Sequence, residues 1–238
     1  MRDTRKDRGY FEGVIAFYNE QVEKTIQNFD NYPNKRGCYR IIAEARLMNL
    51  FNGYSIGYPI EDLKIQFEPL IDSLIDYLTF PEVKMPLKDC LLDTYVEALG
   101  ILSMAYLLKV DDQVFDKVLN YFDVVGTDKL IDQLIRFRQK DRKLNGKLIH
   151  KKYKPLSDFI DENNGGIDFL YNYIKDWYKG MRSALFYNSH ADKQGTMYNG
   201  YWCWEAACLV CLMNIDDTAY RTLAAFPSDI VKYYKGEL

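Results

Sequence analysis

Apolar residues recur at spacings of three and four along most of the chain, and strict alternation of apolar and polar positions never persists beyond a few residues. The first such run predicts a long helix ending near residues 31–33, marked by Tyr10, Val14, Phe17, Tyr18, Val22, Ile26 and Phe29. A second helix is expected from about Cys38 to Asn52, with Gly53 as its stop. A third begins at a cap, Asp62, closes at Pro81, and has an apolar face of Leu63, Phe67, Leu70, Leu74 and Leu78. This periodicity predicts an all-α fold.

Three later stretches continue the helical pattern. Residues 87–108 are apolar on two sides, which predicts a central helix, and residues 167–186 form an amphipathic stretch. Residues 199–213 have hardly any polar face, so we expect an interior helix there. The Asn-Asn-Gly-Gly run at 163–166 predicts a surface turn.

A nine-residue pattern occurs twice, at residues 107–115 and 212–220. In each copy an apolar helix ends and an Asp pair follows that can cap the next helix through its side-chain oxygens. A solenoid protein would contain several copies at a shorter period, whereas this pattern occurs only twice, 105 residues apart. Two copies at this distance favour two helical halves of similar structure. We therefore predict two packed halves, each with an αα-hairpin, as domains 1–125 and 126–238.

Charge is unevenly distributed, although the net value is only −3. Residues 1–135 carry 22 acids and 15 bases, residues 136–154 carry Asp141 and nine bases, and residues 155–238 carry 11 acids and seven bases. The acidic lobes favour a basic partner, and we expect these lobes, rather than the basic stretch, to face it. Nucleic-acid binding is one interpretation of the basic stretch, but a solvated helix end and linker explains it equally well, and acidic lobes repel phosphate. We expect no nucleic-acid partner.

The remaining bulk features indicate a cytosolic protein. The charged start of the chain is not followed by a short apolar run with a cleavage site, and no window reaches the length of a membrane helix. Five cysteines without paired spacing suit reduced thiols. The 20 tyrosines exceed what a core of this size needs, so some are available for an interface.

The candidate chemistry is weak. Cys203, Cys208, Cys211 and His190 suggest zinc, yet Cys203 lies roughly 140° from Cys208 around a helix, which disfavours a shared site. Glu205 is the only charge in its helix, and burial would require a donor from Arg182, His190 or a Tyr hydroxyl. An acid–base pair of His190 and Glu205 lacks a nucleophile beside it. We therefore expect no catalytic residue, metal, cofactor or small-molecule substrate.

One C-terminal pattern resembles a known family. It consists of Tyr198-x-Gly200-Tyr201-Trp202-x-Trp204-Glu205-Ala206-Ala207, then Ile215-Asp216-Asp217, then Phe226-Pro227-x-Asp229. This pattern is similar to the C-terminal domain of PoNi-type immunity proteins, and the N-terminal half resembles their helical N-terminal domain through its first helix and its Asp-Asp turn. Phe226 departs from the Tyr expected before the proline.

The resemblance implies a protein that binds and neutralises a PoNe-type DNase toxin of a bacterial polymorphic-toxin or type VI secretion system, without catalysis and without a membrane partner. We interpret part of the motif as structural, namely Gly200, Trp202, Trp204, Glu205, Pro227 and Asp229. The predicted toxin contacts are Asp161, Glu162, Asp192, Tyr198, Asp216 and Asp217. The alternative is a helical adaptor or regulator with no toxin partner, and a third possibility is an enzyme that uses Glu205 and His190.

Overall fold

The computed structural model describes residues 1–80, 87, 91–144, 146–162, 167–192 and 195–238. Within these ranges the chain forms ten α-helices and no strand, which confirms the all-α prediction. The helices are α1 Arg8–Gln27, α2 Lys35–Ile56, α3 Ile60–Thr79, α4 Leu92–Leu107, α5 Asp112–Val125, α6 Lys129–Ile135, α7 Lys154–Glu162, α8 Ile167–Gly180, α9 Trp204–Leu212 and α10 Ser228–Lys235. No helix in the described ranges is both long enough and apolar enough to cross a membrane.

The end of α2 differs from the predicted stop at Gly53. The helix continues to Ile56 and is closed by Gly57, whose φ of 103° is the left-handed conformation that glycine adopts at low cost. Gly53 lies inside the helix, where an added Cβ would sit 2.9 Å from Leu63 Cδ2. Gly53 therefore permits a close approach of the following helix instead of ending its own.

Other helix ends also moved from their predicted positions. Asp62 lies in the first turn of α3, after Pro59 at the N-cap, where its charge still favours the positive end of the helix. Helix α8 ends at Gly180, six residues earlier than expected, and α9 begins at Trp204, five residues later. The central helix was predicted from residue 87, whereas α4 begins at Leu92, and residues 88–90 between them lie outside the described residues. The predicted stop at Pro81 and the turn at 163–166 also lie outside the described residues.

The repeated sequence pattern corresponds to a repeated helix ending. Lys109 and Asn214 both adopt positive φ, at 49° and 51°. The next amide in each copy reaches back to a carbonyl near the helix end, from Val110 to Ala105 at 3.2 Å and from Ile215 to Val210 at 2.9 Å. This is the Schellman arrangement, which satisfies carbonyls left free at the end of a helix. Equivalent residues therefore end α4 and α9 in the same way.

The Asp pairs that follow these endings behave differently. Asp111 Oδ1 accepts from the Val114 amide at 2.9 Å and so stabilises the start of α5. Asp216 Oδ1 accepts from the Thr218 amide in a turn, and the next α-helix starts only at Ser228. An αα-hairpin in each half stays a prediction.

The described helices belong to two compact units. Unit 1 comprises Met1–Lys84, Asp111–Val124 and Asn188–Gly200, with α2 packed against both α1 and α3. The segment Asn188–Gly200 is bonded into this unit: Tyr198 Oη donates to Asp3 at 2.6 Å, Ser55 Oγ donates to the Asn199 carbonyl at 2.6 Å, and the Tyr198 amide donates to Tyr10 Oη at 3.2 Å.

Unit 2 comprises Met85–Val110, Val125–Tyr187 and Tyr201–Leu238. Helix α4 packs against α6, α9 and α10, and α6 packs against α7. Residues of α4 with at most 1 % exposure form much of its core, namely Tyr95, Ala98, Leu99, Ile101, Leu102, Met104, Ala105 and Leu107. Each unit thus draws on both sides of residue 125, and the predicted domain boundary there stays a prediction.

Candidate functional site

The tryptophans of the C-terminal motif are interior side chains. Trp202 and Trp204 are 8 % and 5 % exposed, and Glu205 is 2 % exposed. The Cys203 amide donates to the Ala225 carbonyl at 2.8 Å, which ties the start of α9 to the chain before α10. These residues hold unit 2 together and leave little of their own surface for a partner.

Glu205 is the buried carboxylate that the sequence predicted, and a Tyr hydroxyl is among its donors. Tyr173 Oη donates to Oε1 at 2.9 Å and Trp177 Nε1 donates to the same oxygen at 2.8 Å, both from α8. The Cys203 thiol also hydrogen-bonds to the carboxylate. Burial raises the pKa of Glu205, and these hydrogen bonds oppose that rise without cancelling it. Glu205 therefore connects α8 to α9 from inside the unit.

Gly200, Pro227 and Asp229 are the other motif residues interpreted as structural. Gly200 has a φ of 99°, a conformation that side chains with a Cβ rarely adopt. Pro227 is buried at the N-cap of α10, and Asp229 lies in the first turn of that helix, where a negative charge is favourable.

Asp217 is the centre of an ion-pair cluster. It is 1 % exposed and accepts from Arg221 Nε at 2.7 Å and from Lys235 Nζ at 2.6 Å. Burial would raise the pKa of Asp217, but the bonds from Arg221 and Lys235 outweigh it and lower the pKa. Asp217 thus fixes the position of α10.

The other predicted contact residues differ in exposure. Asp161, Glu162 and Asp216 have exposed side chains in unit 2, and Asp192 is exposed in unit 1. Asp161 also accepts from Lys129 Nζ at 2.6 Å. Tyr198 is 1 % exposed because its hydroxyl reaches Asp3. The structure therefore places the six residues in two units, four at the surface and two in the interior.

Unit 1 has an acidic face that was not among the predicted contact residues. Lys117 of α5 donates to Glu68 at 2.9 Å and to Asp72 at 2.8 Å, both on α3, so the two helices are neighbours. Ile65 on α3 is 74 % exposed. We call this surface the acidic face; its carboxylates are Asp62, Glu68, Asp72 and Asp76 on α3 and Asp112, Asp116 and Asp123 on α5. The steps of four from Glu68 to Asp76 and the steps of four and seven from Asp112 to Asp123 were a readable signal of one polar face on each helix.

The cysteines and the possible metal ligands can be placed in the described part of the chain. No group of three or more His, Cys, Asp or Glu side chains is placed to hold a metal ion there. Cys38, Cys203, Cys208 and Cys211 are free and buried, and burial raises the pKa of Cys208, which keeps that thiol protonated. Cys90 lies outside the described residues.

Comparison with known proteins gives a consistent assignment. Residues 10–120 match the profile of the PoNe immunity protein (PoNi) N-terminal domain, and residues 126–230 match that of the PoNi C-terminal domain. Curated proteins give no match. The crystal structure of protein PA2201 from Pseudomonas aeruginosa aligns with a TM-score of 0.76 at 17 % identity, over 99 % of this chain and 92 % of that one, which shows a shared fold. The chain belongs to the PoNi family of PoNe immunity proteins.

Proposed function

We propose that this protein binds a cognate bacterial DNase toxin, delivered by a polymorphic-toxin or type VI secretion system, and neutralises it by covering its DNA-binding and active face. Membership of the PoNi family supports an immunity role against a nuclease toxin, a role that implies binding and not catalysis. The observation that carries the mechanism is the acidic face of α3 and α5. The protein acts in the cytosol, where the DNA it protects lies.

The physical basis is charge complementarity combined with exclusion of the substrate. A DNase holds the phosphate backbone with Lys and Arg, so the surface that it presents to DNA is basic. An acidic helical face attracts that surface, accelerates association and suppresses binding to wrong partners. Ile65, exposed among the carboxylates, adds an apolar contact of the kind that strengthens the centre of an interface. Occupation of the basic surface leaves no room for DNA.

The six predicted contact residues contribute unequally to this proposal. Asp161, Glu162, Asp192 and Asp216 have exposed carboxylates and stay proposed contacts. The side chains of Tyr198 and Asp217 serve interior bonds, so we leave them out of the proposed contact surface.

The first test uses a PoNe-type nuclease domain as the candidate cognate toxin. The purified protein should abolish cleavage of plasmid DNA at one molecule per nuclease molecule, and co-expression should restore growth of cells that produce the toxin. Unchanged cleavage at a tenfold molar excess, with cells dying as fast as without the protein, would refute the immunity role. Capture of a transcription or signalling component and no nuclease would favour the adaptor alternative.

A second test addresses the acidic face. Asp76→Lys/Asp116→Lys reverses two exposed charges on α3 and α5, and Glu23→Lys/Asp30→Lys makes the same change in net charge elsewhere in unit 1. We expect the first variant to bind the nuclease at least about tenfold more weakly and the second to bind within about twofold of the parent. Equal weakening by both would show that only net charge matters and that this face is not the contact.

A further inference from the structure

The first part of the basic stretch forms a loop whose cations have two different roles. Helix α6 ends at Ile135, and residues 136–144, which we call the basic loop, carry five Arg or Lys side chains and one acid, Asp141. These cations take no part in the proposed binding of the nuclease by the acidic face. The loop belongs to unit 2.

Two of the five cations hold the loop in place. Arg138 Nη1 donates to the Val110 carbonyl at 3.0 Å, and Arg142 Nε donates to Asp132 Oδ1 at 2.8 Å. Asp132 is only 2 % exposed, so the second bond reaches into the interior. The Arg142 amide also donates to the Gln139 carbonyl at 3.0 Å. Arg138 and Arg142 therefore fix the position of the loop against the rest of unit 2.

The other three cations face solvent. Arg136, Lys140 and Lys143 are exposed, and none of them forms an ion pair with any residue that the structure describes. Phe137 and Leu144 in the same loop are 37 % and 39 % exposed. A fixed loop that presents Arg136 beside Phe137 has the composition of an interface anchor, because Arg and aromatic residues are enriched at interfaces and Arg makes charge-assisted bonds. Lys140 and Lys143 add positive charge to the same loop.

Acidic residues lie beside this loop within unit 2. The Lys129 amide donates to the Lys147 carbonyl at 2.9 Å, and Lys129 Nζ donates to Asp161 at 2.6 Å. Gln133, near the end of α6 where the loop begins, donates to the same carboxylate at 2.7 Å. The loop therefore leaves α6 close to the C-terminal end of α7, where Asp161 and Glu162 are exposed. Unit 2 presents a basic element next to an acidic one.

We propose that the basic loop enters the acidic, metal-binding centre of the nuclease while the neighbouring α7 acids meet the basic rim around it. The proposal rests on the proposed function. DNA-hydrolysing sites gather carboxylates to hold divalent cations. Lys140, Lys143 and Arg136 supply positive charge that such carboxylates can pair with in place of the metal, and Phe137 supplies a rigid apolar contact. The pattern of charge in unit 2 is the complement of a basic rim around an acidic centre.

The test compares two charge reversals of equal size. Lys140→Glu/Lys143→Glu alters the loop, and Lys175→Glu/Lys179→Glu alters two exposed lysines of α8. Affinity for the candidate cognate PoNe-type nuclease domain is measured by titration calorimetry, with circular dichroism to confirm folding of each variant. The loop variant should bind at least about tenfold more weakly, and the α8 variant within about twofold of the parent. Lys140→Ala/Lys143→Ala should weaken binding in the same direction by a smaller factor.

Competition with metal gives a second readout. Adding MgCl₂ should weaken binding by the parent protein more than NaCl of the same ionic strength does, and the loop variant should lose this difference. Equal affinities of the parent and loop variants, or a magnesium effect no larger than the salt effect, would overturn the proposal while leaving immunity intact. A parent protein that does not bind the nuclease would overturn the proposed function and the loop proposal with it. Salt-sensitive binding of a fluorescent DNA duplex by the isolated protein, lost in the loop variant, would assign the loop to nucleic acid instead.

Discussion

Removal of the Tyr173 hydroxyl should destabilise the protein through Glu205. The carboxylate is 2 % exposed, and Tyr173 and Trp177 donate to the same oxygen at 2.9 and 2.8 Å. Tyr173→Phe removes one of these donors and leaves the ring that packs in α8. Because the acceptor is buried, water cannot replace the lost donor without opening the interior.

The size of the effect follows from the charge of the acceptor. A hydrogen bond to a charged group contributes about 1.5–3 kcal/mol, and one between neutral groups about 0.5–1.5 kcal/mol. At a pH above the folded-state pKa of Glu205, Tyr173→Phe should therefore lower the free energy of unfolding by about 2 kcal/mol in the parent protein and by about 1 kcal/mol in a Glu205→Gln background. The coupling between the two positions should be about 1 kcal/mol.

The assay is urea unfolding followed by circular dichroism for the parent, the two single variants and the double variant. Tyr171→Phe, on the same helix and without an interior bond to Glu205, is the matched control and should change stability by less than about 0.5 kcal/mol. Equal effects of Tyr173→Phe in both backgrounds, within about 0.3 kcal/mol, would refute the assignment of Tyr173 as a donor to a charged Glu205.

The same variants predict a dependence on pH. Burial raises the folded-state pKa of Glu205 above its unfolded value of about 4.3, so stability contributed by the protonated form is fully present below that pH and is lost as pH rises through the folded-state pKa. Glu205→Gln should accordingly gain in stability relative to the parent as pH rises from 5 to 8. A constant difference across this range would contradict the raised pKa, and Glu162→Gln, at an exposed site, serves as the control.

Three further predictions concern stability. Gly13→Ala should raise the free energy of unfolding by about 0.5–1 kcal/mol, because this helical position faces open space. Gly53→Ala should not raise it, because the added Cβ would press on Leu63. Urea unfolding of both variants measures the difference. Asp217→Asn should lower the free energy of unfolding by about 2 kcal/mol at pH 7. Because the folded-state pKa of Asp217 is lowered, this difference from the parent should shrink as pH falls below about 4, and urea unfolding of both proteins at each pH measures it. Neither residues 1–125 nor residues 126–238 should give a cooperative melt alone, since α4 packs against α9 and α10; a sharp transition in either fragment would contradict this.

Sequence patterns predicted what depends on short-range chemistry. The period of apolar positions gave the helical class, and the lone charge in an apolar helix indicated a buried carboxylate, which Glu205 is. The repeated pattern at residues 107–115 and 212–220 was detectable because both copies end a helix with one left-handed residue. Its interpretation went too far at Asp216, because an Asp that accepts from the amide two residues ahead stabilises a turn as readily as a helix start.

Features that depend on packing between distant segments were not predictable in the same way. In the sequence, Gly53 predicts the end of a helix. Only the proximity of Leu63 in the structure shows why a glycine is needed inside the helix. Tyr198 reads as a possible contact residue, yet its hydroxyl is bonded to Asp3 at the other end of the sequence. A Tyr hydroxyl was among the predicted donors to Glu205, but Trp177 was not, because the choice of both donors depends on the packing of α8 against the start of α9.

The burial of the family motif has a consequence for how such proteins choose their toxins. Residues that identify the family, including Trp202, Trp204 and Glu205, are enclosed, so changing the toxin partner does not require changing them. The exposed acids of α3 and α5 and the exposed cations of the basic loop have few interior roles, and substitutions there should change stability by no more than about 0.5 kcal/mol. Specificity is a difference between affinities, and it is adjusted most freely where stability is least affected. The same fold can therefore keep its core while its charged surfaces are altered to fit a different nuclease.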